Sequence, residues 1–80
     1  MQERRKVPRI EVDEPAFISG DGSSMRCHVA NISPEGAAID VPNPAYVSSR
    51  FNLMLESDRL VRKCKLVWIM KTRIGVEFVA

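Results

Sequence analysis

From Pro15 onward the chain alternates apolar and polar residues in short runs separated by turn formers, a period-2 pattern that predicts strands. Ala16 to Ser19 reads as a short strand closed by Gly20-Asp21-Gly22-Ser23. Met25 to Ile32 follows, with Met25, Cys27 and Val29 on one face and Arg26 and His28 on the other. After Ser33-Pro34-Glu35-Gly36, Ala37, Ile39 and Val41 share a face and Asp40 points away. Pro42-Asn43-Pro44 breaks that strand and leaves residues 45–50 as an irregular crossing. Phe51, Leu53 and Leu55 form the inner face of a fourth strand, ended by Glu56-Ser57-Asp58-Arg59. Leu60 to Met70 is a longer strand whose alternation slips: Lys63 and Lys65 share a side that Val67 and Ile69 continue as apolar. Such a slip is expected of a bulge or of a strand bending between sheets. Thr72-Arg73 turns the chain into Ile74, Val76 and Phe78. The prediction is all-β: a small six-stranded antiparallel barrel, because closure removes the edges that six short strands would expose. Phe51, Trp68 and Phe78 are assigned to its core.

Residues 1–14 show neither period. They read as an arm, and residues 15–80 as a single barrel domain. Pro8 fixes its own φ and drives Val7 toward an extended conformation, so no helix is expected between the arginines. Eighty residues allow one small core. The net charge is only +2, yet Arg4, Arg5, Lys6 and Arg9 stand against Glu3 alone, and Glu11, Asp13, Glu14 and Asp21 follow without a base. That gradient points to a local anion site at a flexible arm, not a broad nucleic-acid surface.

Two short motifs carry the candidate chemistry. The first is Arg4-Arg5-Lys6-Val7-Pro8-Arg9, an RRxxxR pattern, and the second is Asn31-Ile32-Ser33-Pro34-Glu35-Gly36, an NxSxxG pattern. A guanidinium donates two parallel hydrogen bonds to a phosphate or to the O6/N7 edge of guanine, and its flat face stacks on a base. In an extended arm Arg5 and Arg9 fall on the same side, about 13 Å apart. The Asn31 carbonyl can accept from guanine N–H donors and the Ser33 hydroxyl can reach a phosphate or base. Gly36 is expected to permit a positive φ and to let backbone N–H groups approach an anion.

Together the motifs resemble the ligand signature of the PilZ domain family, bacterial receptors for cyclic di-GMP. Cys64-Lys65-Leu66-Val67-Trp68 and Arg73-Ile74-Gly75-Val76-Glu77-Phe78 are similar to the family's late strands, so the resemblance runs from Glu3 to Phe78. It implies a split-barrel type fold whose arm closes over cyclic di-GMP on the outer surface, with ligand-binding residues Arg4, Arg5, Arg9, Asn31, Ser33 and Gly36. It further implies signalling through arm ordering to a downstream protein partner, one or two ligand molecules, no other cofactor, and a cytoplasmic monomer or weak homodimer. The family has Asp or Asn at the position of Asn31, Asp being the stronger acceptor. One departure stands out: many members add a C-terminal helix where this sequence ends at Ala80.

Two other readings compete: a degenerate PilZ-like adaptor acting by protein contacts without ligand, and a single-stranded nucleic-acid-binding barrel. The latter needs exposed aromatics interleaved with bases, and only Phe17 and Tyr46 are left free by the core assignment. An enzyme is not expected, since no nucleophile with a base, acid/base pair or cofactor loop appears. Cys27 and Cys64 lack zinc-ligand spacing and read as buried apolar groups of a reducing compartment. His28 reads as structural or exposed. No apolar leader follows the basic start, and the longest nearly apolar run, residues 66–70, is too short to span a bilayer.

Overall fold

The computed structural model describes residues 10–20, 22 and 24–79. Six strands, β1 (Ile10–Ser19), β2 (Ser24–Ile32), β3 (Gly36–Asp40), β4 (Arg50–Leu55), β5 (Val61–Met70) and β6 (Arg73–Phe78), close antiparallel in the order β1-β2-β3-β6-β5-β4. The only helical turn among the described residues is a 3-10 segment, Pro44–Tyr46, capped where Asn43 Oδ1 accepts from the Ala45 N–H. The sequence reading and the architecture agree. The first strand, however, begins at Ile10 and not near Pro15: Ile10 pairs with Ile32 and Glu11 with Asn31. Residues 10–14 lack clean alternation because the register shifts between Glu11 and Glu14. There the Glu14 carboxylate is held by the Ser57 N–H at 2.9 Å.

Alternation places the core as expected. Val29, Ile39, Leu53 and Ile74 are fully enclosed, each worth about 1.5–3 kcal/mol of transfer free energy. Phe51 and Leu55 join them, while Phe78 packs from the barrel margin. Cys27 and Cys64 are free and buried, and desolvation pushes their thiols up to about 12 and about 11. Gly22 takes the positive φ that glycine tolerates freely, and Arg59 and Lys71 take it in the turns after β4 and β5, an uncommon conformation for residues with a side chain.

Trp68 departs from its assignment to the core. It lies outside the barrel, 42% exposed, because β5 carries a bulge between Leu66 and Trp68. Cys64 and Leu66 point inward, the extra residue Val67 is absorbed, and Trp68 emerges on the same outer side as Lys65.

Candidate functional site

The turn joining β2 to β3 is held by its own hydrogen bonds. The Ser33 N–H donates to the Gly36 carbonyl at 2.8 Å, and the Glu35 N–H donates to Ser33 Oγ at 3.2 Å. The Glu35 carbonyl in turn accepts from the Phe78 N–H at 2.8 Å, tying the turn to the end of β6. Ser33 is buried, its hydroxyl already engaged within the turn. Gly36 has a different role from the one expected of it. Its φ is not positive; a Cβ there would overlap the Val76 carbonyl of the neighbouring strand. The residue is small so that β3 and β6 can approach, not so that the chain can turn left-handed.

Asn31 sits within β2, half-buried, just after a register shift between Val29 and Asn31. The bulge turns its side chain to the outer surface, opposite Ala38. From there a single row crosses the barrel exterior: Asn31 pairs with Ala38, Ala38 with Gly75, and Gly75 with Trp68. At about 4.8 Å per strand, the Asn31 and Trp68 backbones are about 14 Å apart, with two small residues between them. The indole lies over Gly75 so closely that a Cβ at that position would collide with its ring atoms. The result is a shelf with an amide at one end, an aromatic wall at the other and a floor of Ala and Gly.

A cleft of about 160 Å³ opens beside this shelf, lined by Glu35, Gly36, Trp68, Gly75, Val76 and Glu77, with Val67 at its rim. Larger clefts lie elsewhere: those near Ile18, Tyr46 and Phe51 and near Phe17, Met54 and Val61 have no charged residue in their described lining, while one of about 330 Å³ is lined by Arg26, His28 and Asp40 with Cys27, Val41 and Pro42. The nearest outer-face cation in the row beyond, Arg73, is committed to Asp40 through bonds of 2.7 and 3.0 Å. On the other flank exposed Lys65 pairs with Glu77, so one described cation borders the shelf, and further cationic groups for an anion there would come from another part of the chain. Arg4, Arg5 and Arg9 lie outside the described residues. Their point of attachment is described: Ile10 pairs with Ile32, one residue before Ser33, and Glu11 with Asn31. The leader thus joins the barrel beside the turn.

Sequence reasoning missed Trp68 as a surface residue. The signal was present in the broken alternation at Val67 together with Gly75, a residue without side chain at an outward position of the facing strand.

A small closed antiparallel barrel with a shaped polar turn and an adjoining basic leader is the frame of a ligand-binding module. The chain matches the family model of the PilZ domain over residues 3–80 and belongs to that family, a cyclic di-GMP receptor family of binding domains. Among solved structures it resembles the PilZ domain of CeSA from a cellulose-synthesizing bacterium, with a TM-score of 0.70 and 15% identity. That match covers 91% of this chain and 81% of the other. At that identity the likeness concerns the fold. No curated protein matches the chain. No described helix is long and apolar enough to cross a membrane.

Proposed function

We propose that the chain is a cyclic di-GMP receptor that holds its ligand between the leader arginines Arg4, Arg5 and Arg9 and the outer shelf of the barrel. The register of β1 against β2 is the observation that carries this reading. Pairing of Ile10 with Ile32 joins the arginine-bearing leader to the barrel one residue from the Ser33–Gly36 turn. The guanidinium groups neutralise the two phosphates and stack on a base. The Asn31 amide and the carboxylates of Glu35 and Glu77 offer acceptors to guanine N–H donors. Ser33 acts by holding the turn, since its hydroxyl accepts from the Glu35 N–H and donates to the Gly36 carbonyl. Trp68 supplies an aromatic wall within reach of a base. Bound ligand bridges leader and barrel, and that composite surface is what a downstream protein reads.

Calorimetric titration with cyclic di-GMP tests the reading. Wild type should bind with a dissociation constant on the order of micromolar, and Arg5→Ala and Arg9→Ala should each weaken it at least about tenfold. Arg9→Lys should not restore affinity, because an ammonium lacks both fork and plane. Absence of wild-type binding at about 100 μM ligand, a free energy weaker than about −5.5 kcal/mol, would remove the proposal.

A further inference from the structure

The cleft beside the shelf holds an electrostatic contradiction for a site that takes a doubly charged anion. Its charged lining residues are two acids, Glu35 and Glu77. Carboxylates repel phosphates, so the part of the ligand that enters the cleft must be uncharged and must bring hydrogen-bond donors. The indole of Trp68, lying over Gly75, marks that part as a base.

Of the two acids, Glu77 is the one that the strands fix in place. It stands on the outer face of β6, two residues beyond Gly75 and about 7 Å along the strand from it. On one side it pairs with Gly36, which has no side chain and leaves the carboxylate room over the floor. On the other it pairs with Lys65, whose exposed ammonium tempers its charge without a direct ion pair. Among the described residues no hydrogen bond or ion pair occupies the Glu77 carboxylate, while Glu14, Asp40 and Asp58 are each engaged. Glu35 belongs to the turn, which ties down its backbone through the Phe78 N–H and Ser33 Oγ and leaves its side chain exposed. Asn31 lies at the far end of the shelf from the indole.

We propose that Glu77 selects guanine among purine bases, an assignment that rests on the receptor reading above. Guanine presents N1–H and its 2-amino group side by side, two donors for the two oxygens of one carboxylate. Hypoxanthine keeps the first donor and lacks the second. Adenine puts a ring-nitrogen acceptor where the carboxylate needs a donor, so lone pairs face each other and the base is rejected. In the receptor reading the leader arginines meet the phosphates, which cyclic dinucleotides of all three bases share. Affinity and selectivity therefore reside in different residues.

Calorimetry on the full chain compares cyclic di-GMP, cyclic di-IMP and cyclic di-AMP. Wild type should bind cyclic di-IMP about tenfold more weakly than cyclic di-GMP, for one charge-assisted hydrogen bond lost in an open cleft, and cyclic di-AMP more weakly still. Glu77→Ala, at an exposed position where a thermal melt verifies the fold, should lower affinity for cyclic di-GMP about tenfold. The same change should raise affinity for cyclic di-AMP, narrowing the preference to within about threefold. If Glu77 only balances Lys65, removing its charge strengthens all three ligands alike, and that result overturns the assignment. Selectivity that survives Glu77→Ala and disappears in Glu35→Ala overturns it too. Wild type that binds all three equally overturns the assignment and leaves the receptor reading standing, whereas wild type that binds none of them removes both.

Discussion

Gly36 separates two accounts of the same motif. If its purpose is to admit a ligand, Gly36→Ala should leave the unliganded barrel intact and damage only binding. The structure argues otherwise. A Cβ at residue 36 overlaps the Val76 carbonyl, a backbone atom of β6 that cannot swing away as a side chain could. That carbonyl sits in a ladder fixed by the pairing of Ala37 with Val76 and of Gly36 with Glu77, and by the bond from the Phe78 N–H to the Glu35 carbonyl. Relief requires β3 and β6 to part locally. Overpacking costs about 1–3 kcal/mol, and one strained or lost ladder bond adds about 1 kcal/mol, so about 3 kcal/mol is expected.

In a domain of this size the whole folding free energy is about 4–12 kcal/mol, so the loss is a large share of it. It should lower Tm by about 12–24 °C, at about 4–8 °C per kcal/mol for domains of 60–100 residues. Urea titration of the unliganded protein, followed by far-ultraviolet circular dichroism and by emission of the single tryptophan, measures it directly. A Gly36→Ala variant whose midpoint matches wild type while its affinity for cyclic di-GMP collapses would refute the close-approach argument. It would return Gly36 to the ligand.

Gly75→Ala meets the Trp68 ring first, a side chain that can lift, so it should cost less, about 1–2 kcal/mol, and shift tryptophan emission to longer wavelength. In a Trp68→Ala background the same change should be neutral or slightly stabilising, since Ala is favoured over Gly in a strand; an additive pair would contradict the stacking. Hydrogen bonds from Arg73 hold the Asp40 carboxyl below the usual carboxylate range. A depressed native pKa stabilises the fold above about pH 4 and the contribution is lost as pH falls through it. Asp40→Asn should accordingly flatten the acid limb of the stability curve below about pH 4, by no more than about 1 kcal/mol for so exposed a pair. Cys27 and Cys64, raised to about 12 and about 11, should resist alkylation at pH 8 in the native protein and react together on unfolding; rapid native labelling of either would contradict their burial.

How much of this could be read in advance depended on whether a strand was regular. Where the pleat is uninterrupted, as in Phe51-Asn52-Leu53-Met54-Leu55 of β4 or Ile74-Gly75-Val76 of β6, alternation alone assigned the core. The six strands and their turns were legible for that reason. Residues whose facing depends on a bulge were not, because one extra residue reverses every side chain beyond it. Asn31 follows the shift in β2 and Trp68 the shift in β5, and both shifts deliver a side chain to the outer surface on the same cross-barrel row. Strict alternation would have sent Trp68 inward with Cys64 and Leu66, and the shelf would have lost its wall.

The same three irregularities account for where function can reside on so small a barrel. Thirteen buried apolar residues fill the interior, so a ligand cannot enter the barrel and must be met on its outside. An outer face of regular strands is convex and crowded with side chains, a poor place to hold a flat base. Here the bulge in β2 raises an amide, the bulge in β5 raises an indole, and Ala38 and Gly75 keep the ground between them low. The shift in β1 between Glu11 and Glu14 lets the chain keep pairing with β2 up to Ile32, so the leader departs at the turn. The role of the bulge residue can therefore be tested directly. Deleting Val67 leaves Leu66 opposite Val76 and Trp68 opposite Gly75, so the indole should keep its outer face and its contact with Gly75, seen as unchanged tryptophan emission, while the β4 ladder from Val61 to Lys65 stays paired; an indole turned inward would refute Val67 as the absorbed residue.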